Sequence, residues 1–325
     1  MIPIEKQKNC STLSFTYEFE YDFDVVSMAF SQPYTYTDLR NDIKRIESSK
    51  QGKYMLRETL CNTLSGNVCE LLTITNRRNM DKHKKGIVLT ARAHPGETVG
   101  SWMLKGVIEY LLSEDENADM LRNFYIFKIV PMLNPDGVIQ GNYRCSLAGC
   151  DLNRKYSSPS SVFHPTIFHV KKMTKQLSRR YPLVLYCDFH GHSKKKNVFM
   201  YGNTSEENPE EYRIFPYIMS RVYPYFSFKS SKFGVHKSKA STARVAMWKE
   251  LNISSVFTIE ASFLGPKDRK EEPQFKIQDL MEIGKGLCQA LNIYDRIITP
   301  EHELMLKQYV VFHIDIIEQS QENQY

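Results

Sequence analysis

From about residue 86 the chain alternates short apolar runs with longer amphipathic ones: GIVLTARA, SWMLKGVIEYLL, FYIFKIVPML, IFHVKKMTKQLSRRY and LVLYCDFHGH follow in turn. Strands that are apolar throughout must be covered on both faces, so this pattern restricts the fold to a largely parallel or mixed sheet with helices packed on it. STARVAMWKEL continues the series as a helix, with Ser241 or Thr242 placed to cap it, SSVFTIEAS as a strand and KIQDLMEIGKGLCQALN as a last long helix. The expected fold class is α/β, a mixed central sheet flanked by helices. The first 40 residues differ: LSFTYEFEYDFDVVSMAFS sets an aromatic or β-branched side chain at every second place, the period of a strand, and predicts a short N-terminal β segment.

Composition narrows the function classes. At 325 residues and 42% hydrophobic content the chain can bury a large core without staples. Its seven cysteines are an odd number with no CxxC pair, which argues against a disulfide framework or a cysteine zinc knuckle and for a reducing compartment. The opening MIPIEKQKNCS lacks the apolar core of a secretion signal, and no apolar run reaches membrane-spanning length, so the expectation is a soluble cytoplasmic protein with no membrane partner. The net charge of +6 favours acidic partners. The basic clusters KHKK and KKK are short and lie beside strands, so no nucleic-acid partner is expected.

In sheets of this class ligands bind where strands end and loops begin. Those ends carry ARAHPGE, PMLNPDG, CDFHGHS and TIEAS. Two imidazoles and a carboxylate form a common catalytic zinc set. His94 and Glu97 of HPGE supply two such ligands from one turn, and a distant histidine must complete the set. His190 is the first candidate and His192 the second; with a glycine between them the spacing does not choose. A His and a Glu three apart also occur as an ordinary surface or capping pair, so HPGE by itself proves little.

Taken together, HPGE, NPDGV (134–138), GNYRCSLAGCDLNR (141–154), DFHGHSKKKNVFMYG (188–202) and TARV followed by TIEAS resemble the zinc carboxypeptidases. More narrowly they resemble the cytosolic carboxypeptidases, which trim glutamates from tubulin and other acidic tails. The likeness runs from about residue 13 to 308, and PYTYTDL (33–39) resembles the junction between that subfamily's N-terminal β domain and its catalytic domain. The resemblance implies a truncated β segment over 1–33, a catalytic domain over 34–308 and a polar tail over 309–325.

It also implies roles. His94, Glu97 and His190, the histidine preceding GHS, would hold one Zn2+. Glu260 would be the general base: an acid inside the apolar run SSVFTIE has a raised pKa, which suits a proton shuttle near neutral pH. Arg144 would face the developing oxyanion. Asn153 and Arg154 of DLNR would clamp the terminal carboxylate, a guanidinium gripping it through two parallel hydrogen bonds. Arg244 would line the pocket for the terminal side chain and select glutamate. The implied partners are glutamate-rich protein tails, tubulin foremost, in the cytoplasm and at microtubules or cilia. Two departures stand out: the subfamily has a much longer β domain before PYTYTDL, and the mobile tyrosine that secreted relatives close over substrate has no counterpart in FGVHKSKAS. The competing expectations are an inactive binder of acidic tails and a small-molecule amidohydrolase using the same metal set.

Overall fold

The structure is a computed structural model that describes residues 2–3, 11–12, 14–79, 83–271 and 274–297. The expected tail at 309–325, and the end of the expected catalytic domain at 308, lie outside the described residues. The chain divides into two units, Met1–Phe30 and Ser31–Tyr325.

In the first unit, β1 (Ile2–Pro3) and β2 (Ser11–Thr12) form a short antiparallel ladder. The alternating stretch at 14–30 forms no strand, contrary to its pattern. A strand exists only where its N–H and C=O groups meet a partner. No strand pairs with this stretch among the described residues, and Phe15, Phe19 and Phe23 stand exposed.

The second unit opens with α1 (Tyr36–Glu47), so PYTYTDL is a helix start. Thr35 accepts from the Asp38 N–H at 3.1 Å and the Thr35 N–H donates to the Asp38 carboxylate at 2.8 Å, a reciprocal cap. There follow β3 (Met55–Asn62), β4 (Val68–Ile74), β5 (Lys85–Ala91), α2 (Thr98–Leu111), α3 (Glu116–Phe124) and β6 (Tyr125–Val130). Next come α4 (Pro135–Ile139), α5 (Pro165–Ser178), β7 (Leu183–His192), β8 (Val198–Tyr201), α6 (Glu211–Val222), α7 (Ala243–Leu251), β9 (Val256–Ser262) and α8 (Ile277–Ile297). No helix among the described residues is long and apolar enough to cross a membrane.

Strands β3 to β9 make one sheet in the order β3-β4-β6-β5-β7-β9-β8. The four central strands run parallel and the outer ones antiparallel, the mixed α/β sheet expected. From β5 the chain crosses first to β6 on one side and later to β7 on the other, so the order reverses between β5 and β7, the crevice where such sheets take their ligands.

Each face of the sheet has its own core. On one face Leu89, Cys187, Phe189, Phe257 and Ile259 pack with residues of α2, α6 and α8. On the other, Val88, Tyr186 and Val256 pack with residues of α5 and α7. Because successive side chains alternate in direction, this second face continues toward the strand ends as Thr90 on β5, Asp188 and His190 on β7, and Thr258 and Glu260 on β9. It is apolar low in the sheet and polar at the rim. Helix α2 crosses α8 closely: a Cβ on Gly106 would lie 2.0 Å from the Met281 carbonyl oxygen, and one on Gly284 2.0 Å from that of Met103.

Candidate active site

The turn after β5 is built around a buried arginine. Arg92 takes a left-handed backbone conformation, φ 59°, and its guanidinium donates to the carbonyls of Pro95 and Tyr34 and to Ser101 Oγ. Gly96 lets the turn lie against Tyr143, where a Cβ would come within 2.8 Å of the carbonyl oxygen. Held in this way, His94 and Glu97 face each other at the start of α2.

His94 Nδ1 lies 2.7 Å from Glu97 Oε1, and His190 Nδ1 lies 2.7 Å from Glu97 Oε2. The Gly191 N–H also donates to Glu97 Oε2, at 3.0 Å. One ligand-capable atom from each of His94, Glu97 and His190 falls within 4.8 Å of the others. All three residues are buried. The cluster contains His190 and not His192. No turn intervenes at Gly191, since β7 continues through His192 in register with Ser262. His192 Nδ1 is instead occupied by the N–H groups of Lys194 and Lys195.

The outer nitrogen of each imidazole meets an aspartate. His94 Nε2 is 2.9 Å from Asp151 Oδ1, and His190 Nε2 is 2.7 Å from Asp188 Oδ2. Asp188 is fully buried and accepts from Thr90 Oγ1 at 2.6 Å. An imidazole that donates its Nε2–H to a carboxylate leaves the Nδ1 lone pair free. Two such lone pairs and the Glu97 carboxylate then converge, and close approach of three electron-rich groups requires positive charge among them. Burial opposes charge on both histidines, yet the carboxylates outweigh it and raise both pKa values. Burial likewise opposes the charge of Glu97, but His190 and His94 hold its carboxyl far below the usual range. Two imidazoles, one carboxylate and an orienting carboxylate behind each imidazole suit a zinc ion.

Glu260 is the register partner of His190 across the parallel pair β7–β9, so both project from the same face. Its Oε2 is shut off from solvent and has no hydrogen-bond partner. Burial pushes its carboxyl up to about 7.

The arginines lie around this centre. Arg144 is bound to Asp151, Nε at 2.9 Å and an outer nitrogen at 2.7 Å, with another 4.0 Å from Glu97 Oε1. Asn153 joins two elements: its Nδ2 is 3.3 Å from His190 Nε2, and its Oδ1 accepts from the Ala243 N–H at 2.8 Å, at the start of α7. Arg154 is partly exposed and rests on the Asn153 carbonyl, 3.9 Å from Asp151. Arg244 lies in the first turn of α7 but is only 7% exposed, so it is no surface arginine. It donates to the Gly202 carbonyl and, at 2.8 Å, to Asn203 Oδ1, and burial lowers its pKa to about 10.

Asp151 and Asp188 are the residues that reading the sequence missed. Asp188 had a signal, standing two places before His190 and so on the same strand face. Asp151 had only its place in DLNR. Lys195, in the basic cluster KKK, lies over the rings of Phe199 and Tyr201 at 4.5 and 5.3 Å.

A zinc carboxypeptidase profile matches residues 48–252, which includes every site residue except Glu260. Cytosolic carboxypeptidase 2 of Xenopus tropicalis is 47% identical over 292 residues, covering 87% of this chain and 30% of that protein. Human cytosolic carboxypeptidase 1 is 41% identical over 344 residues, covering 97% of this chain and 28% of that protein. The chain thus spans less than a third of the length of these relatives. Among solved structures, a metallo-carboxypeptidase from Burkholderia cenocepacia superposes with a TM-score of 0.72 at 21% identity, covering 82% of this chain and 70% of that one. One from Pseudomonas aeruginosa, in complex with (2-guanidinoethylmercapto)succinic acid, gives 0.72 at 23% identity, covering 81% and 70%. At these identities the likeness is one of fold.

Proposed function

The chain belongs to the zinc carboxypeptidase family, and from that premise we propose that it is a zinc-dependent carboxypeptidase that removes glutamates from the ends or branch points of acidic protein tails, polyglutamylated tubulin among them, in the cytoplasm. The observation that carries the reading is the His94–Glu97–His190 cluster with Glu260 in register beside it, one carboxylate oxygen unpartnered. A buried unpartnered oxygen is costly to maintain, and such atoms collect where a reacting group is to be met.

His94, Glu97 and His190 would hold the zinc, with Asp151 and Asp188 fixing the imidazoles. Zinc, when bound there, polarises a carbonyl and makes a water more acidic. Glu260 takes the proton of the attacking water and passes it to the leaving amine, for which a pKa near neutrality is well matched. Arg144, free to exchange Asp151 for substrate on the exposed side of the site, offsets the charge that grows on the carbonyl oxygen. Asn153 and Arg154 receive the terminal carboxylate. Arg244 accounts for the choice of side chain, since its desolvated guanidinium meets only neutral acceptors among the described residues, and a glutamate γ-carboxylate supplies a counter-ion.

The test is direct. The zinc-loaded protein should release glutamate from a glutamate-ended peptide and from a branched polyglutamylated tubulin tail, and release little from an alanine-ended control. Equal release from all three would remove the acidic specificity, and no release with zinc bound would remove the enzyme.

A further inference from the structure

Outside this site lies the hairpin β3–β4. Cys61 and Cys69 are direct partners across it, immediately after a register irregularity between Thr59 and Cys61. Directly opposed residues of an antiparallel pair have their Cα atoms about 4.5–5.5 Å apart, inside the window of about 4.4–6.8 Å that a disulfide spans. The two side chains project from the same face, both packing in the core beneath α5 and α7. The Cys69 thiol donates to the Met132 carbonyl at 3.5 Å. Cys61 is partly exposed and Cys69 is buried, so an outside reagent can meet the first and only the first can meet the second.

We propose that Cys61 and Cys69 form a reversible redox modification site, in which a small disulfide of the glutathione class converts the dithiol into a cross-strand bridge. Cys61, as thiolate, attacks one sulfur of the small disulfide and expels one small thiolate, giving a mixed disulfide. Cys69 attacks the Cys61 sulfur, forming the new S–S bond and expelling the second small thiolate, which takes up the Cys69 proton. Two cysteines are oxidised, one small disulfide is reduced to two thiols, and nothing else is consumed. The neighbouring Cys69 thiol favours the thiolate at Cys61, lowering its pKa.

The bridge would fix a hairpin that already reaches toward the catalytic loops. In its turn Thr63 Oγ1 donates to Asp136 Oδ1 at 2.5 Å, Asn67 Nδ2 to the same oxygen at 2.8 Å, and the Ser65 N–H to Oδ2 at 3.1 Å. Asp136 belongs to α4, whose capping residue Asn134 donates to the carbonyl of Ala93, next to His94.

The experiment needs no variant. The full chain is incubated with oxidised glutathione, remaining thiols are blocked with N-ethylmaleimide, and the protein is digested with trypsin without reduction. Both cysteines fall in the one peptide 58–77. We expect it to be lighter by two hydrogens and free of maleimide, and to gain two maleimides once dithiothreitol is added before blocking. A peptide with glutathione left on Cys61, or with both thiols alkylated while other cysteines are oxidised, would overturn the proposal. Two variants sharpen it: Cys69→Ser should trap glutathione on Cys61, and Cys61→Ser should leave Cys69 unmodified. Glutathione on Cys69 in the second variant, checked to be folded by its melting curve, would also count against the proposal.

Discussion

The two halves of the candidate site are built on different principles. Asp188, His190 and Glu260 sit on neighbouring strands in the middle of the sheet, where register fixes their spacing and Asp188 is wholly buried. His94, Asp151 and Arg144 sit on loops and Arg154 on the short 3-10 turn Leu152–Arg154; Arg144 is 43% exposed and Asp151 serves as a shared acceptor for an imidazole and two guanidinium groups. The strand half is held by the fold itself. The loop half is held by charge, and its partners can be exchanged for those of a substrate. Positions that must not move, the proton carrier above all, lie on strands; positions that must let go of one carboxylate to take another lie on loops.

The largest effect expected from this division is at Glu260. Glu260→Gln should lower turnover by a factor of about 10²–10⁴, the usual contribution of a general base, while zinc content measured by atomic absorption stays that of the parent. Loss of zinc instead would place Glu260 among the ligands and break the assignment of the strand half. Next come the two aspartates, each expected to weaken zinc binding about 10–100-fold when changed to Ala, as read by competition with a coloured chelator. They should separate in stability: Asp188→Ala leaves buried donors unmet and should cost about 1–3 kcal/mol in denaturant melts, whereas Asp151→Ala should cost less than about 1 kcal/mol. Equal costs would erase the distinction between strand and loop.

Arg244→Ala should reduce kcat/KM on glutamate-ended peptides about 10–100-fold relative to neutral-ended ones, the worth of a hydrogen-bonded charge pair. A uniform loss on both would assign Arg244 to the packing of α7. The smallest effect concerns pH. Burial raises Glu260 from an ordinary 4.5 to about 7, so between those values the folded metal-free protein keeps a proton that the unfolded chain releases. The contribution of Glu260 to stability therefore falls as pH rises through that window. Glu260→Gln cannot ionise, so its melting temperature relative to the parent, both metal-free, should be more favourable at about pH 8 than at about pH 5. An unchanged difference would show that Glu260 is better solvated than its strand position requires.

What could be read from the sequence follows the same division. The central strands were legible because they are apolar for their full length, and the site residues on them because they interrupt that run. Strands β3 and β4 were not read, since MLRETLC and VCELLTI mix polar and apolar residues as an edge hairpin does. The aromatic stretch at 14–30 shows the converse failure, an alternation without a partner strand among the described residues. Spacing could not separate His190 from His192 because both stand at one strand end; the difference lies in the backbone N–H groups that claim His192. Asp151 escaped because its importance is a matter of the histidine it touches, 57 positions earlier.

The glycine crossing of α2 and α8 has a bearing on evolution and engineering. Glu97 stands at one end of α2, and Gly106 is about 14 Å further along that helix, a lever arm with its fulcrum against the Met281 backbone. A single methyl inserted at the fulcrum would pry the helices apart and swing the far end, so the aim of a carboxylate depends on two residues with no side chain. Random mutagenesis for higher activity should therefore find this remote joint intolerant even of alanine, and any variant that survives a change there should carry a compensating change in α8.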